Sequence, residues 1–173
     1  ISIIGCAVLG VVTERVAYRP LRGAGSLTVL ITAIGVSYLL QNVFLIIFGS
    51  ASLTFPKIIP SGTISLGSIT MSYVTIATLI ITAISTALLL FFVNKTKLGK
   101  AMRAVSEDGK AAQLMGINVD TTIALTFAIG SALAAIAGVI YGTKFSLINP
   151  YIGAMLGIKA FIAAVLGGIG SIQ

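Results

Sequence analysis

Histidine is absent from this 173-residue sequence. Ser-His-Asp and Cys-His catalytic arrangements are therefore excluded, as are histidine-ligated metal sites. The single cysteine, Cys6, allows no intrachain disulfide and no thiolate cluster, and reads as apolar filler. Carboxylates are nearly as scarce: Glu14, Glu107, Asp108 and Asp120. None of them falls inside a long apolar run, where an ion-coupled proton relay would need one. No acid–base, nucleophile or metal-ligand constellation is left, so neither enzymatic activity nor a cofactor or metal held by this chain is expected. Charge as a whole is thin, with 9% of residues charged. Soluble domains carry roughly 25%, so a water-exposed globular surface is excluded, and so is a disordered chain.

What remains is apolar. Hydrophobic residues make up 57% of the sequence, and the mean hydropathy is +1.12. A helix crosses the hydrocarbon core with about 20 apolar residues. The uncharged runs 27–48, 72–93 and 121–143 hold 22, 22 and 23 residues, and each predicts a spanning helix. Residues 1–13 are apolar but short, and read as a partial span. Residues 151–172 are long enough but carry Lys159 and a glycine cluster. That segment reads as interrupted, since irregular backbone at membrane depth needs protein or a wet cavity to satisfy it. The chain begins inside one apolar stretch and stops just after another. The expectation is a single all-α transmembrane domain over 1–173, a polytopic helical bundle cut from a longer membrane protein.

The basic residues set an orientation. Loop 14–26 carries Arg15, Arg19 and Arg22, and loop 94–120 carries Lys95, Lys97, Lys100, Arg103 and Lys110. The intervening loops carry only Lys57 and Lys144. The two basic loops are expected in the cytoplasm. This accounts for the net charge of +7 without a nucleic-acid surface, because no basic stripe is interleaved with aromatics.

Several local signals stand out. Ser26 and Asp120 are placed to cap the spans that follow them, and Gly116 to end a short helix. Ile64, Leu66, Ile69 and Met71 around Gly67-Ser68 suggest a hairpin on the outer face. Gly130, Ala134, Gly138 and Gly142 recur every four residues, which makes a ridge of small side chains suited to close helix packing. In loop 94–120, a break near Gly109 precedes a short helix at Lys110–Met115. Arg103 and Glu107, four apart, can pair on one helix face. The run K-A-A-Q-L-M-G (110–116) makes a compact exposed knob, able to seat in a groove of a soluble partner or to act as a plain solvated loop.

The segment G-K-A-M-R-A-V-S-E-D-G-K-A-A-Q-L-M-G-I-N-V (99–119) resembles the cytoplasmic coupling loop of ABC-importer permeases, whose short motif has the form E-A-A-x-x-x-G. Ala111, Ala112 and Gly116 match it, and Lys110 stands where the glutamate would be. E-R-V-A-Y-R-P-L-R (14–22), I-N-P-Y-I-G (148–153) and K-A-F-I-A-A-V-L-G-G-I-G-S-I (159–172) extend the likeness over nearly the whole chain, to the LivH-type permease subunit of branched-chain amino acid ABC importers. The resemblance implies a bacterial-type inner-membrane subunit. It would work with a sister permease, two cytoplasmic ATPase subunits that hold ATP and Mg, and an external binding protein, among membrane lipid. The chain has no G-x-x-x-x-G-K-[ST] phosphate loop, because Gly99-Lys100 runs into Ala101. The coupling loop would be Arg103, Glu107, Asp108, Lys110, Ala111, Ala112 and Gly116, and a charge at Ala112 is expected to uncouple transport. The rivals are a permease for sugars or other small solutes, and a carrier or channel that needs no ATPase.

A path for a zwitterionic solute needs polar groups at depth. Gln41 and Asn42 lie within the second apolar run, with Ser37 one turn earlier, and Asn149 introduces the last segment. Gly167, Gly168, Gly170 and Ser171 would free backbone groups if the helix breaks there. Interhelical hydrogen bonding and glycine packing are the competing uses of these residues. Lys159 could meet a carboxylate or snorkel to the interface.

Overall fold

The computed structural model describes residues 1–21, 23, 25–56, 62–66 and 69–167. Its elements are α1 (Ser2–Thr13), α2 (Ser26–Phe48), β1 (Leu53–Thr54), β2 (Thr63–Leu66), β3 (Ile69–Ser72), α3 (Tyr73–Lys95), α4 (Lys97–Glu107), α5 (Gly109–Leu114), α6 (Val119–Phe145), β4 (Leu147–Ile148) and α7 (Ile152–Leu166). The fold is all-α and polytopic. Among the described residues, three helices are long and apolar enough to cross a membrane: Thr28–Phe48, Tyr73–Lys95 and Val119–Phe145. At about 1.5 Å per residue each exceeds 30 Å, the thickness of the hydrocarbon core. Their side chains are mostly exposed, as expected when lipid or other protein, rather than this chain, covers them.

The tightest packing joins α1 to α6, which run antiparallel. Gly10 is buried there because a Cβ would collide with the Ser131 side chain and lie 3.1 Å from the Phe127 carbonyl oxygen. Tyr18 and Phe127 continue the seam, with ring centroids 5.0 Å apart. A stripe of Ala7, Gly10, Val11, Glu14 and Tyr18 at helical spacing faces this contact.

Residues 14–21 depart from the expected loop. The helix continues from α1 as a π segment (Glu14–Tyr18), closed by the Arg19 N–H donating to the Glu14 carbonyl, and then as a 3₁₀ turn (Arg19–Leu21). Pro20 has no N–H to donate to the helix ladder, so the register changes just where the regular bond would fail. The chain therefore stays helical past the charges that suggested a loop.

Beyond α3 the chain reverses at Thr96, whose hydroxyl accepts from the Gly99 N–H at 3.0 Å. The amphipathic α4 then lies against α3 and α6 with Lys100, Arg103 and Glu107 outward. At the opposite end, Ser146 takes a left-handed conformation (φ 55°) and turns α6 into β4. β4 pairs antiparallel with β1 (Leu53 opposite Ile148, Thr54 opposite Leu147), and the Phe55 N–H reaches the Ser146 carbonyl at 2.9 Å. This clip ties the far ends of α2 and α6 together. The expected hairpin is present as β2 paired with β3, Thr63 opposite Ser72 and Leu66 opposite Ile69.

Two caps differ from expectation. Gly25, with φ −63° and ψ 154°, occupies the N-cap of α2, and Ser26 begins the helix. Asn118 caps α6 by accepting from the Thr121 N–H at 3.1 Å, because it stands three residues before that donor. Asp120 lies inside the first turn and is used elsewhere.

Candidate functional site

Two arrangements at opposite ends of the bundle gather the candidate residues. At the basic end, α5 is a six-residue helix with both termini closed. Asp108 Oδ1 accepts from the Lys110 and Ala111 N–H groups at 2.8 and 3.1 Å. The break between α4 and α5 falls at this aspartate, because its carboxylate satisfies donors that a continuous helix would have paired with α4. Gly116, at φ +84°, ends the helix. The Ile117 N–H bonds the Ala112 carbonyl and the Gly116 N–H the Gln113 carbonyl, both at 3.0 Å, which is a Schellman closure. A helix this short is not stable alone, so the two caps hold its shape.

The knob faces outward differently from the sequence expectation. Ala112 is buried at 5% exposure and turns inward, where α5 meets α4 and α6. Its predicted place on the docking surface is corrected accordingly. Leu114 and Met115 are 89% and 84% exposed, beside exposed Lys110, Ala111 and Gln113. The sequence analysis placed the run 110–116 on an exposed knob but did not single out Leu114 and Met115 within it. The signal was their position just before a terminating glycine, on the face opposite Ala112. Arg103 and Glu107 do not form an ion pair among the described residues; both are exposed, and an exposed pair gains too little to fix two long side chains.

Beside the knob, Arg19 Nη2 donates to Asp120 Oδ2 at 2.8 Å, joining the 3₁₀ turn after α1 to the start of α6. Glu14, expected in a solvated loop, is 1% exposed and faces α6. It lines a polar cavity of 280 Å³ with Arg15, Arg19, Asn118, Asp120 and Thr121. Burial holds the Tyr18 phenol protonated to higher pH than usual.

At the far end, a cavity of 390 Å³ lies between one face of α2 and the turn before α7. It brings together Gln41 and Asn149 from the predicted path residues, along with Ser37. Gln41 Nε2 donates to Ser37 Oγ at 3.2 Å. Asn149 Oδ1 accepts from the Tyr151 N–H at 3.0 Å, which fixes the turn that introduces α7. Asn42 points elsewhere: its amide donates to the Tyr38 carbonyl of its own helix at 2.8 Å. Lys159 is exposed on α7, outside the cavity lining. Gly167 caps the C-terminus of α7; Gly168, Gly170 and Ser171 lie outside the described residues.

The small-residue ridge is not a continuous contact within the described residues. Gly142 is buried against Phe55 and Ile148 of the β clip. Gly130, Ala134 and Gly138 are exposed, and open space surrounds both glycines. The reason is geometric, since α1 occupies the neighbouring face of α6 through Phe127 and Ser131.

An apolar polytopic bundle of this kind defines a multi-pass membrane protein. The chain belongs to the family described as "Branched-chain amino acid transport system / permease component", whose model matches residues 1–173. It is 46% identical over 175 residues to the high-affinity branched-chain amino acid transport system permease protein BraD of Pseudomonas aeruginosa, covering 99% of this chain and 57% of that protein. It is 47% identical over 164 residues to the corresponding protein LivH of Escherichia coli, covering 92% of this chain and 53% of that one. The galactose/methyl galactoside import permease protein MglC of Escherichia coli is 30% identical over 122 residues, covering 70% of this chain and 34% of that protein. This chain thus spans a little over half the length of the branched-chain relatives. No solved structure matches it.

Proposed function

We propose that this chain works within the membrane-spanning permease of an ABC importer that carries leucine, isoleucine and valine inward, with ATP hydrolysed on partner subunits. The observation that carries the reading is the α5 knob, fixed at both ends by Asp108 and Gly116 and exposing Leu114 and Met115. An exposed apolar pair on a rigid protrusion suits a groove in a protein partner far better than water. The partner would be a cytoplasmic ATPase, one of two, each holding ATP and Mg. A sister permease would complete the bundle, and an external binding protein would deliver the solute at the β-clip end.

The basic end would face the cytoplasm of a bacterial-type inner membrane. Residues 1–13, 27–48, 72–93, 121–143 and 151–172 would be its membrane segments. The knob would act as a handle: displacement by the ATPase passes into α4 and α6, which it touches, and shifts the bundle between two packings. The likeness to the branched-chain permeases supports amino acids over sugars, because it is stronger and covers more of this chain than the likeness to the galactoside permease.

The test is uptake of labelled leucine into proteoliposomes holding the full-length permease, its sister, the ATPases and the binding protein. ATP-dependent uptake, competed by isoleucine and valine, is the expected result. Uptake driven by an ion gradient and indifferent to ATP would overturn the reading.

A further inference from the structure

One face of α2 changes character along its length. Ser37 and Gln41 stand at the deeper level of the 390 Å³ cavity, with Leu40 beside them; Phe44 and Phe48 follow toward the β-clip end, their rings 6.0 Å apart and nearly parallel. Residues 37, 41, 44 and 48 keep helical spacing, so the helix lays a polar patch and an aromatic patch along one wall. Asn149 and Gly153 belong to the other wall. Among the described residues, no charged side chain lines the cavity.

The amides are only partly engaged. Gln41 uses its Nε2 on Ser37, and its Oε1 has no partner among the described residues. Asn149 uses its Oδ1 on the Tyr151 N–H, and its Nδ2 likewise has none. One wall thus offers an acceptor and the other a donor, the two things a zwitterion's ammonium and carboxylate require. A cavity of this size lies within the usual range for small-molecule sites, about 300–1,000 Å³. It would hold about a dozen waters at about 30 Å³ each, which leaves ample room for one free amino acid.

We propose that this cavity is a subsite for a single free α-amino acid with an uncharged aliphatic side chain. Its ammonium meets Gln41 Oε1 and Ser37 Oγ, its carboxylate meets Asn149 Nδ2, and its side chain lies against Leu40 and Phe44. This assignment rests on the importer reading above and adds to it where the solute is held. The uncharged lining among the described residues gives the selectivity its physical basis. A lysine or glutamate side chain would enter with no counter-charge, and an unpaired charge in an apolar lining is costly.

Gly153 supplies a direct probe. A Cβ built there meets nothing within 4 Å, so a side chain at this position enters open space without displacing its neighbours. In the full-length assembled complex, with its native cysteines (Cys6 among them) replaced by serine, Gly153→Cys is expected to react with a small polar thiol reagent. Saturating leucine should slow that reaction at least about fivefold, and lysine or glucose should not. Gln41→Leu is expected to raise the KM for leucine uptake about tenfold or more, the scale of one lost hydrogen bond to a charged group. ATP hydrolysis by that variant should persist. Gly153→Leu should impair leucine more than alanine or valine, by narrowing the cavity from its wall.

The controls separate the two claims. If the unmodified complex shows no ATP-dependent leucine uptake, the importer reading fails. If it transports leucine and Gly153→Cys is unreactive, another protein segment fills the cavity and the subsite assignment is overturned. Reaction at equal rates with and without leucine, or Gln41→Leu with unchanged KM, overturns it as well.

Discussion

Arg19 and Asp120 are 101 residues apart in the sequence and 2.8 Å apart in space. The pair links the turn that follows α1 to the first turn of α6, one residue beyond the Asn118–Val119 junction where the knob hands over to α6. Both side chains are about half exposed, 56% and 51%, so the pair contributes about 0–1 kcal/mol to stability. Its value would lie in connection: motion of the knob reaches α1 through it. Asp120→Asn should leave insertion and thermal stability nearly unchanged while lowering leucine imported per ATP hydrolysed, about two- to fivefold. The reversed pair, Arg19→Asp with Asp120→Arg, should recover part of that ratio. Measurement of uptake and hydrolysis on the same vesicles decides it, and an unchanged ratio in Asp120→Asn would show that the pair transmits nothing.

The knob gives a pair of opposed expectations. Leu114→Asp or Met115→Asp places charge on the exposed apolar face and should cut ATP-driven uptake at least tenfold, with normal membrane insertion. Ala112→Asp buries a carboxylate instead, at a position 5% exposed. That variant should also lose uptake, but through an opened α5, visible as protease cleavage between residues 108 and 117. Equal protease resistance in both classes would remove the distinction.

Gly116 sits at φ +84°, a region that costs an L residue roughly 1–2 kcal/mol. Gly116→Val should loosen the end of α5 and weaken ATPase binding in pull-down by several-fold. Gly116→Asn, which tolerates the left-handed region, should retain most of it. If valine and asparagine behave alike, the Schellman closure is not what fixes the knob.

Gly10 and Gly130 make a contrast within one helix pair. Gly10→Val drives a side chain into Ser131 and should destabilise the α1–α6 contact by about 1–3 kcal/mol, the usual cost of overpacking. Gly130→Ala meets open space in this chain. Its effect on thermal unfolding of the chain alone should be near zero. Any large loss in the assembled permease would mark the partner that packs there.

Much of this architecture is legible because membrane spans announce themselves by length. Runs 27–48, 72–93 and 121–143 coincide with α2, α3 and α6 with no end displaced by more than two residues. The end of α5 was legible too, since only Gly116 could turn the chain there cheaply. Glu14 was not, because its burial depends on α6, more than a hundred residues away, and on a π register that no local pattern records. Asp120 had the right chemistry for a cap, but Asn118 had the better position. Gln41 and Asn149 were each visible as polar residues in apolar surroundings. That they share a cavity follows only from the β clip, which draws the end of α2 toward the start of α7.

That clip also sets where motion can occur. Two residue pairs, Leu53 with Ile148 and Thr54 with Leu147, fasten α2 to α6 directly at one end, while at the other the π segment Glu14–Tyr18 lies between them and touches both. The helices therefore resemble two rods pinned at a common tip, with a short π segment as the spacer at the other. α6 is 27 residues long, about 40 Å at 1.5 Å per residue. A tilt of about 5° at the pin displaces the opposite tip by about 3.5 Å, yet hardly disturbs the Gln41–Asn149 neighbourhood beside the pin. Leverage of this kind would let a push at the knob be large where force is applied and fine at the proposed solute site.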